Sequence, residues 1–442
     1  MLTTKKLMPA FILITALFFM WGLAHNLNPI LIPHLKKACR LTDLQSAFID
    51  SAFFIGYFVM ALPAGFAMKK WGYKSGIIIG LLLFAFGALL FYPAASARTF
   101  GLFLLALFII ASGLTFLETA ANPYITVLGS AETATQRLNF SQSFNGLAAT
   151  LAPFLGGIFI LSGKEITDAQ LAAMNPADAE ALLQSEAATV QVPYLVIAGL
   201  VLLLALVVWK SALPEIQEPA AEVIDAEAAS GTIFSDLNKP SAPAAANGDA
   251  RSRSIFKQAN LMRGVLAQFF YVGAQVCITS FFIRFASKAA QIDEKTAALY
   301  LSLALLAFMV GRFAGTYFMQ FVAAARLLVL YCIACVVLLA LAITLGGQFA
   351  LYALIGVCFF ISIMFPTIFS LGIVGLGGQT KLGSSLIIMA IAGGALMPVI
   401  MGRVSDLYSI QIAYIVPLIC FVPIVWFALR APRVENGLSA VH

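Results

Sequence analysis

The stretch Gly113-Leu-Thr-Phe-Leu-Glu118-Thr-Ala-Ala-Asn122-Pro123-Tyr-Ile-Thr-Val-Leu-Gly129 places a carboxylate and an amide inside a segment that is otherwise apolar enough to lie in a bilayer. A second stretch, Asn139-Phe-Ser-Gln142-Ser-Phe-Asn145, places three amides in a similar setting. A carboxylate at membrane depth costs about 2.5 kcal/mol or more, and such residues usually face a cavity. The two stretches therefore indicate a functional cavity inside a membrane protein.

Composition supports this class. The chain has 442 residues, of which 61% are hydrophobic and only 10% are charged, whereas soluble proteins have about 25% charged residues. A soluble fold of this length has too little interior to hide so much apolar surface. The excess of 26 Lys and Arg over 20 Asp and Glu is scattered along the chain. This pattern is typical of basic cytoplasmic loops, so we expect the lipid bilayer as a partner and no nucleic acid.

Runs of about 20 apolar residues, the length that crosses a bilayer, occur twelve times along the sequence. Twelve spans place both termini on one side of the membrane. Most of the 26 Lys and Arg residues then fall on that side, so the positive-inside rule predicts that both termini are cytoplasmic. Spans one to twelve cover residues 9–33, 46–68, 75–95, 100–127, 138–161, 192–211, 262–286, 296–320, 327–346, 349–374, 382–403 and 411–430.

The segment 212–260 interrupts the apolar runs. It is rich in Ala, Pro, Ser and acidic residues, a composition that predicts a mostly disordered cytoplasmic linker. The linker separates an N-terminal half, residues 1–211, from a C-terminal half, residues 261–432, and residues 433–442 form a cytoplasmic tail. The outer loop near 163–191 is predicted to hold short helical pieces with a break at Asn175-Pro176.

The two halves share an internal repeat. Pro123-Tyr-Ile-Thr-Val-Leu-Gly129 matches Pro366-Thr-Ile-Phe-Ser-Leu-Gly372, and Pro153-x-x-x-Gly157 matches Pro398-x-x-x-Gly402 at nearly the same separation. Span four therefore corresponds to span ten, and span five to span eleven. A repeat of half the chain length, joined by a cytoplasmic linker, is the pattern of major facilitator transporters. We predict an all-α, polytopic membrane protein with twelve transmembrane helices in two six-helix halves.

Further motifs are specific in combination. They are Asn26-Leu-Asn28-x-Ile-Leu-Ile-Pro33, Ala267-Gln-Phe-Phe-Tyr271-Val-Gly-Ala-Gln275, Ile283-Arg284 and Gly311-Arg312-Phe-x-Gly315-Thr316. Together with the stretches around Glu118, Gln142 and Pro366, they resemble the L-fucose permease group of the major facilitator superfamily, the fucose–hexose symporters. The general superfamily signature between spans two and three is degraded, because Lys69 stands where an Asp is usual.

The resemblance implies a secondary active sugar importer of the bacterial inner membrane, a monomer that works by alternating access with co-transported protons and no organic cofactor. The expected sugar is L-fucose, followed by galactose, glucose, mannose or N-acetylhexosamine. Coupling to sodium is an alternative, since carboxylate and amide oxygens also suit a hard cation. A transporter-derived sugar sensor is an alternative of another class. An enzyme is not expected: no nucleophile–base pair or metal cluster is visible, and the chain has three histidines.

Sugar hydroxyls both donate and accept hydrogen bonds, so a sugar site needs amides, carboxylates and an aromatic face. Tyr271 and Gln275 form an i,i+4 pair on span seven, where the C-terminal half could grip a sugar held by the N-terminal half. For each amide the alternative is a helix–helix hydrogen bond. The predicted sugar-binding residues are Asn26, Asn28, Glu118, Asn122, Gln142, Asn145, Tyr271 and Gln275.

Glu118, Asp50 and His25 are the predicted cation-coupling residues. The resemblance predicts a second acid in span one, but this chain has Pro29 there, and Asp50 stands in span two where the family more often has an uncharged amide. Both positions lie near the outer ends of neighbouring spans, so we hypothesise that the carboxylate has moved to span two. Alternatively, Asp50 caps span two or is wetted at the outer mouth. His25 is a candidate proton relay, or it satisfies a neighbour's hydrogen bond.

Overall fold

The computed structural model describes residues 4–27, 31, 35, 38–41, 43–159, 174–211, 213, 254–292 and 294–432. Within these residues all regular structure is helical. The helices are α1 Thr4–His25, α2 Asp43–Ser96, α3 Phe100–Val127, α4 Ala134–Phe159, α5 Pro176–Ala188, α6 Gln191–Lys210, α7 Ala259–Ser280, α8 Phe282–Ala289, α9 Glu294–Phe318, α10 Ala324–Thr344, α11 Gly347–Ile361, α12 Met364–Gly372, α13 Thr380–Met389, α14 Gly393–Leu407, α15 Ile410–Ala413 and α16 Ile415–Arg430.

Ten segments of the described chain are long and apolar enough to cross a membrane. One of them, Ala52–Ser96, has 45 residues and holds spans two and three. The break between these spans is at Gly72, whose φ of 82° lies in the left-handed region that glycine tolerates without steric cost. Span five, α4, is not among the ten, because its amides make it less apolar than the other spans.

Two faces of the bundle can be defined from the helix ends. The linker face is the end where α6 finishes at Lys210 and α7 begins at Ala259, and the outer face is the opposite end. The predicted linker lies outside the described residues except at Leu213 and from Ser254 onward, and the tail 433–442 lies outside them as well.

At the outer face, the predicted break at Asn175-Pro176 is the start of helix α5. Asn175 caps the helix, since its Oδ1 accepts a 3.3 Å hydrogen bond from the amide of Ala177. Pro176 occupies the first helical position, where its missing N–H leaves no bond unmade. Glu180 on this helix pairs with Arg98 in the turn after span three, which fixes α5 against the N-terminal half.

Span ten differs from the single helix that its apolar run predicts. Helix α11 ends at Ile361 and α12 begins at Met364. Pro366 has no N–H, so the carbonyl of Ser362, four residues earlier, has no helical donor. Instead, Nε of Arg312 on span eight donates a 2.7 Å hydrogen bond to this carbonyl. The break therefore exposes an acceptor that a buried guanidinium satisfies.

The halves meet where spans two and four pack on span eleven, and where span five packs on spans eight and ten. Asn139 Nδ2 donates to Thr367 Oγ1 at 3.2 Å, and Ser370 Oγ donates to Thr135 Oγ1 at 2.9 Å. In the described chain, the hydrogen bonds between nitrogen or oxygen atoms of the two halves all involve residues on the linker-facing parts of their spans. A longer contact of 3.7 Å joins Oγ1 of Thr150 to Sδ of Met309. The bundle is therefore closed at the linker face.

Candidate functional site

Glu118 lies within span four with a side chain that is 8% exposed. Its Oε1 accepts a 2.7 Å hydrogen bond from the hydroxyl of Tyr57 on span two. Sequence reasoning did not select Tyr57, because a single tyrosine in an apolar span is also an ordinary packing residue. The structure thus gives the predicted coupling acid one specific partner, which is itself buried.

The ring of Phe53 lies between His25 and this pair. Its imidazole lies 4.9 Å from the ring of Phe53, and Phe53 lies 5.6 Å from the ring of Tyr57, centroid to centroid. In the part of the chain that the structure describes, no hydrogen bond joins His25 to Glu118. Its function as a proton relay stays a prediction.

Asn122 and Gln142 form the second element of the site. Nε2 of Gln142 on span five donates a 3.0 Å hydrogen bond to Oδ1 of Asn122, one helical turn after Glu118. Asn122 is fully buried, and its Nδ2 has no hydrogen-bond partner in the described chain. The structure therefore brings together three predicted residues and leaves an amide donor free for the oxygen of a sugar or of water.

The amides nearer the outer face are less buried. Asn145 Nδ2 donates a 3.3 Å hydrogen bond to the carbonyl of Phe18 on span one. Gly22 allows this approach, since a Cβ at that position would lie 2.8 Å from Nδ2 of Asn145. Asn26 donates to the carbonyl of Gly22 within its own segment, at 2.7 Å. Asn28 lies outside the described residues.

In the C-terminal half, Tyr271 and Gln275 differ in their surroundings. Tyr271 is fully buried, and its hydroxyl donates a 3.2 Å hydrogen bond to the carbonyl of Ile361 at the break in span ten. Gln275 is half-buried, and its side chain has no hydrogen-bond partner among the described residues. Gln275 is therefore the more available of the two for a ligand, and the predicted sugar contact of Tyr271 stays a prediction.

The predicted second acid falls only partly within the described residues. Asp50 belongs to helix α2, but its side chain, together with Asn28 and Pro29, lies outside the described residues. The hypothesis that a carboxylate has moved from span one to span two remains a prediction.

Arg312 is a functional candidate that the sequence reasoning quoted in a motif but did not assign. It is 4% exposed, and its guanidinium lies 4.6 Å from the ring centroid of Phe308. Its Nη1 donates a 2.8 Å hydrogen bond to the carbonyl of Gln142 across the boundary between the halves. None of the described carboxylates lies within 4.0 Å of it. A cation inside an apolar span is itself a signal of function.

These contacts form a polar path in two parts, which are separated by one helical turn of span four. Tyr57 binds Glu118, Asn122 one turn further binds Gln142, and the carbonyl of Gln142 binds Arg312. The path offers one group that can carry a proton and several that can exchange hydrogen bonds with hydroxyls. In the described part of the chain, no group of three or more His, Cys, Asp or Glu could hold a metal ion.

Comparison with known proteins places this arrangement in context. A family model described as Major Facilitator Superfamily matches residues 10–374. The L-fucose-proton symporter of Escherichia coli (strain K12) is 41% identical over 423 residues, which are 95% of this chain and 92% of that protein. A glucose/galactose transporter of Brucella abortus is 38% identical over 418 residues, 94% of this chain and 92% of the relative.

Solved structures agree with the sequence comparison. A crystal structure of a Major Facilitator Superfamily transporter, FucP, in the outward conformation matches with a TM-score of 0.83 at 39% sequence identity. The match covers 96% of this chain and 99% of that one. The arrangement seen here, with the halves joined at the linker face, has the same overall fold.

Proposed function

The chain belongs to the major facilitator superfamily and, within it, to the L-fucose permease group, and from this membership we propose that it imports a hexose together with protons by alternating access. The membership confirms the predicted all-α fold with twelve spans in two halves. The protein is a multi-pass membrane protein. We place it in the bacterial inner membrane with the linker face cytoplasmic, in accordance with the distribution of basic residues.

The hydrogen bond between Tyr57 and Glu118 is the observation that carries the proposal. A buried carboxyl can exist as a charged acceptor or as a neutral donor. As an acceptor, Glu118 receives the hydrogen bond from the Tyr57 hydroxyl. As a protonated acid, it can also donate a hydrogen bond to a sugar oxygen. Since Asn122 lies one helical turn after Glu118 and binds Gln142 of span five, proton and sugar occupy adjoining parts of one site.

The transport cycle follows from this adjacency. In the state closed at the linker face, the site faces outward, and Glu118 takes up a proton before or with the sugar. The halves then rock about the site, and the hydrogen bonds across the linker-side interface break. Inside, the sugar leaves and Glu118 releases its proton, which resets the carrier. Coupling arises because the proton and sugar share one site that is open to one side at a time.

For the substrate, we propose L-fucose or a related hexose such as galactose. The support is that one relative is named an L-fucose-proton symporter and another a glucose/galactose transporter. Protons are the proposed coupling ion because the L-fucose relative is named for them. The free amide donor of Asn122 and the unpartnered side chain of Gln275 are the groups that we expect to meet the sugar hydroxyls.

Uptake by the purified protein in proteoliposomes tests the proposal. Radiolabelled L-fucose, galactose, glucose, mannose and N-acetylglucosamine are offered under an inward proton gradient, an inward sodium gradient, or neither. We expect accumulation of L-fucose or galactose only with the proton gradient, and collapse by a protonophore. Accumulation driven by sodium alone would contradict proton coupling. Sugar binding without counterflow would identify a sensor instead of a transporter.

A further inference from the structure

We propose that a groove between spans five and eight at the linker face binds an anionic phospholipid. The groove, of about 340 Å³, is separate from the polar path around Glu118. Spans five and eight belong to different halves, so the groove lies on their boundary. We call it the five–eight groove; its principal lining residues are Gln136, Arg137, Phe140, Phe313, Tyr317 and Gln320.

The wall of the five–eight groove is aromatic and opens away from the bundle. Phe140 is 39% exposed and Tyr317 57% exposed, on helices that are surrounded by lipid. The ring of Phe140 lies 5.9 Å from that of Phe11 and 5.5 Å from that of Phe144, and Phe144 lies 6.3 Å from Phe313, centroid to centroid. This continuous apolar wall suits an acyl chain, which gains free energy by apolar contact without needing polar partners.

The linker-side end of the groove is polar. Gln136 precedes Phe140 by one helical turn on span five, and Gln320 follows Tyr317 by about one turn at the end of span eight. In the described chain, neither amide side chain has a hydrogen-bond partner. Their N–H groups can donate to the oxygens of a phosphodiester. The groove is thus polar at the linker face and apolar toward the bilayer centre, which matches the head group and the acyl chain of a phospholipid.

Charge selects an anionic head group. The guanidinium of Arg137 makes all its hydrogen bonds to neutral acceptors: the carbonyls of Ile125 at 3.3 Å, Thr126 at 2.8 Å and Ser130 at 2.9 Å, and Oγ1 of Thr133. No described carboxylate lies within 4.0 Å of it. Its positive charge therefore remains available at the polar end of the groove, and a basic residue near a membrane surface favours anionic lipid about fivefold.

The position of the groove links lipid binding to the transport cycle. Phe140 belongs to the N-terminal half and Phe313 to the C-terminal half, so a lipid that touches both makes these contacts only at the present separation of the halves. A ligand that binds one state better shifts the population toward it. Bound lipid therefore stabilises the state that is closed at the linker face. This effect on transport rests on the proposed function, whereas lipid binding itself does not.

Native mass spectrometry of the delipidated, full-length protein tests the binding directly. The probes are palmitoyl-oleoyl phosphatidylglycerol, the corresponding phosphatidylcholine, and sn-glycerol 3-phosphate, which has the anionic head but no acyl chain. We expect one retained phosphatidylglycerol, several times less phosphatidylcholine and no glycerol phosphate. Equal retention of both lipids would overturn the proposal, and so would displacement of phosphatidylglycerol by glycerol phosphate. The proposal would also be overturned if the protein's own linker occupied the groove and no lipid bound there.

Two sets of variants locate the site. Q136E/Q320E places negative charge at the polar end, and we expect phosphatidylglycerol to bind about tenfold more weakly, while Q136K/Q320K binds it at least as well as the parent. F140A/F313A removes the aromatic wall and should also weaken binding about tenfold. The control is F66A/F86A, which removes two more exposed rings outside the groove. An equal loss in this control, or no dependence on the sign of the charge, would refute the site whether or not the protein transports sugar.

Discussion

Ser384 Oγ donates a 2.9 Å hydrogen bond to the backbone carbonyl of Thr119, and this bond crosses from the C-terminal half to the N-terminal half. The carbonyl is available because Pro123, four residues later, has no N–H to donate to it. Pro366 stands at the equivalent position of the internal repeat and frees the carbonyl of Ser362 for a buried guanidinium. The repeated proline therefore creates an acceptor at the same place in each half.

Replacing Pro123 by Ala should weaken the closure at the linker face. The new N–H competes with Ser384 for the carbonyl of Thr119, so we expect the closed state to lose about 0.5–1.5 kcal/mol, a two- to tenfold change in the ratio of states. Electron paramagnetic resonance distances between spin labels at the linker-side ends of spans four and eleven measure this ratio. Pro93→Ala, in span three, is the control. Identical distance distributions in both variants would contradict the argument.

Arg312→Lys should impair transport more than binding. The guanidinium satisfies the carbonyls of Ser362 and Gln142 at the same time, and a lysine ammonium cannot hold both in that fixed fork. We expect initial uptake to fall about tenfold, with sugar affinity measured by calorimetry changed much less. Uptake equal to that of the parent would show that the bridge between the halves is dispensable.

The sequence predicted the spans because bilayer thickness sets the length of an apolar run. It did not predict the break in span ten, because a missing backbone hydrogen bond does not change the length of an apolar run. Pro366 was the residue that could have indicated the break. In the site, Glu118, Asn122 and Gln142 stood out as polar residues in apolar surroundings, and the structure brings them together. Tyr57 was missed because its contact with Glu118 depends on how spans two and four pack.

Glu118→Gln should keep the fold but abolish accumulation. The amide retains an oxygen that can accept from Tyr57, so packing is preserved, but it cannot exchange a proton at physiological pH. We expect counterflow of sugar to persist while uptake driven by a proton gradient is lost. The thermal transition of the variant, measured alongside, controls for unfolding. Concentrative uptake at the level of the parent would contradict the assignment of Glu118 as the coupling acid.

Gln275→Ala and Asn145→Ala should each weaken sugar binding by about 1–3 kcal/mol, because each leaves a sugar hydroxyl or a buried group without its partner. Tyr271→Phe is the informative comparison. The hydroxyl of Tyr271 donates a hydrogen bond to the carbonyl of Ile361 in the present state. If Tyr271→Phe loses thermal stability but keeps its sugar affinity, the hydroxyl has a structural role. If the variant loses sugar affinity, the result supports the predicted sugar contact. If the first two variants bind sugar as tightly as the parent, the central site lies elsewhere.

Asp50→Asn tests the displaced carboxylate. If Asp50 has taken over from the acid that the family resemblance predicts at Pro29, the variant should lose driven accumulation and retain downhill exchange. A group that only carries the cation matters to the driven cycle, whereas a sugar ligand matters to both. Counterflow and gradient-driven uptake, measured in the same proteoliposomes, separate the two functions. A second variant, Pro29→Asp in the Asp50→Asn background, should restore part of the accumulation. Full accumulation by Asp50→Asn alone would show that Asp50 is not needed for coupling, and that Glu118, with or without His25, couples the cation to the sugar.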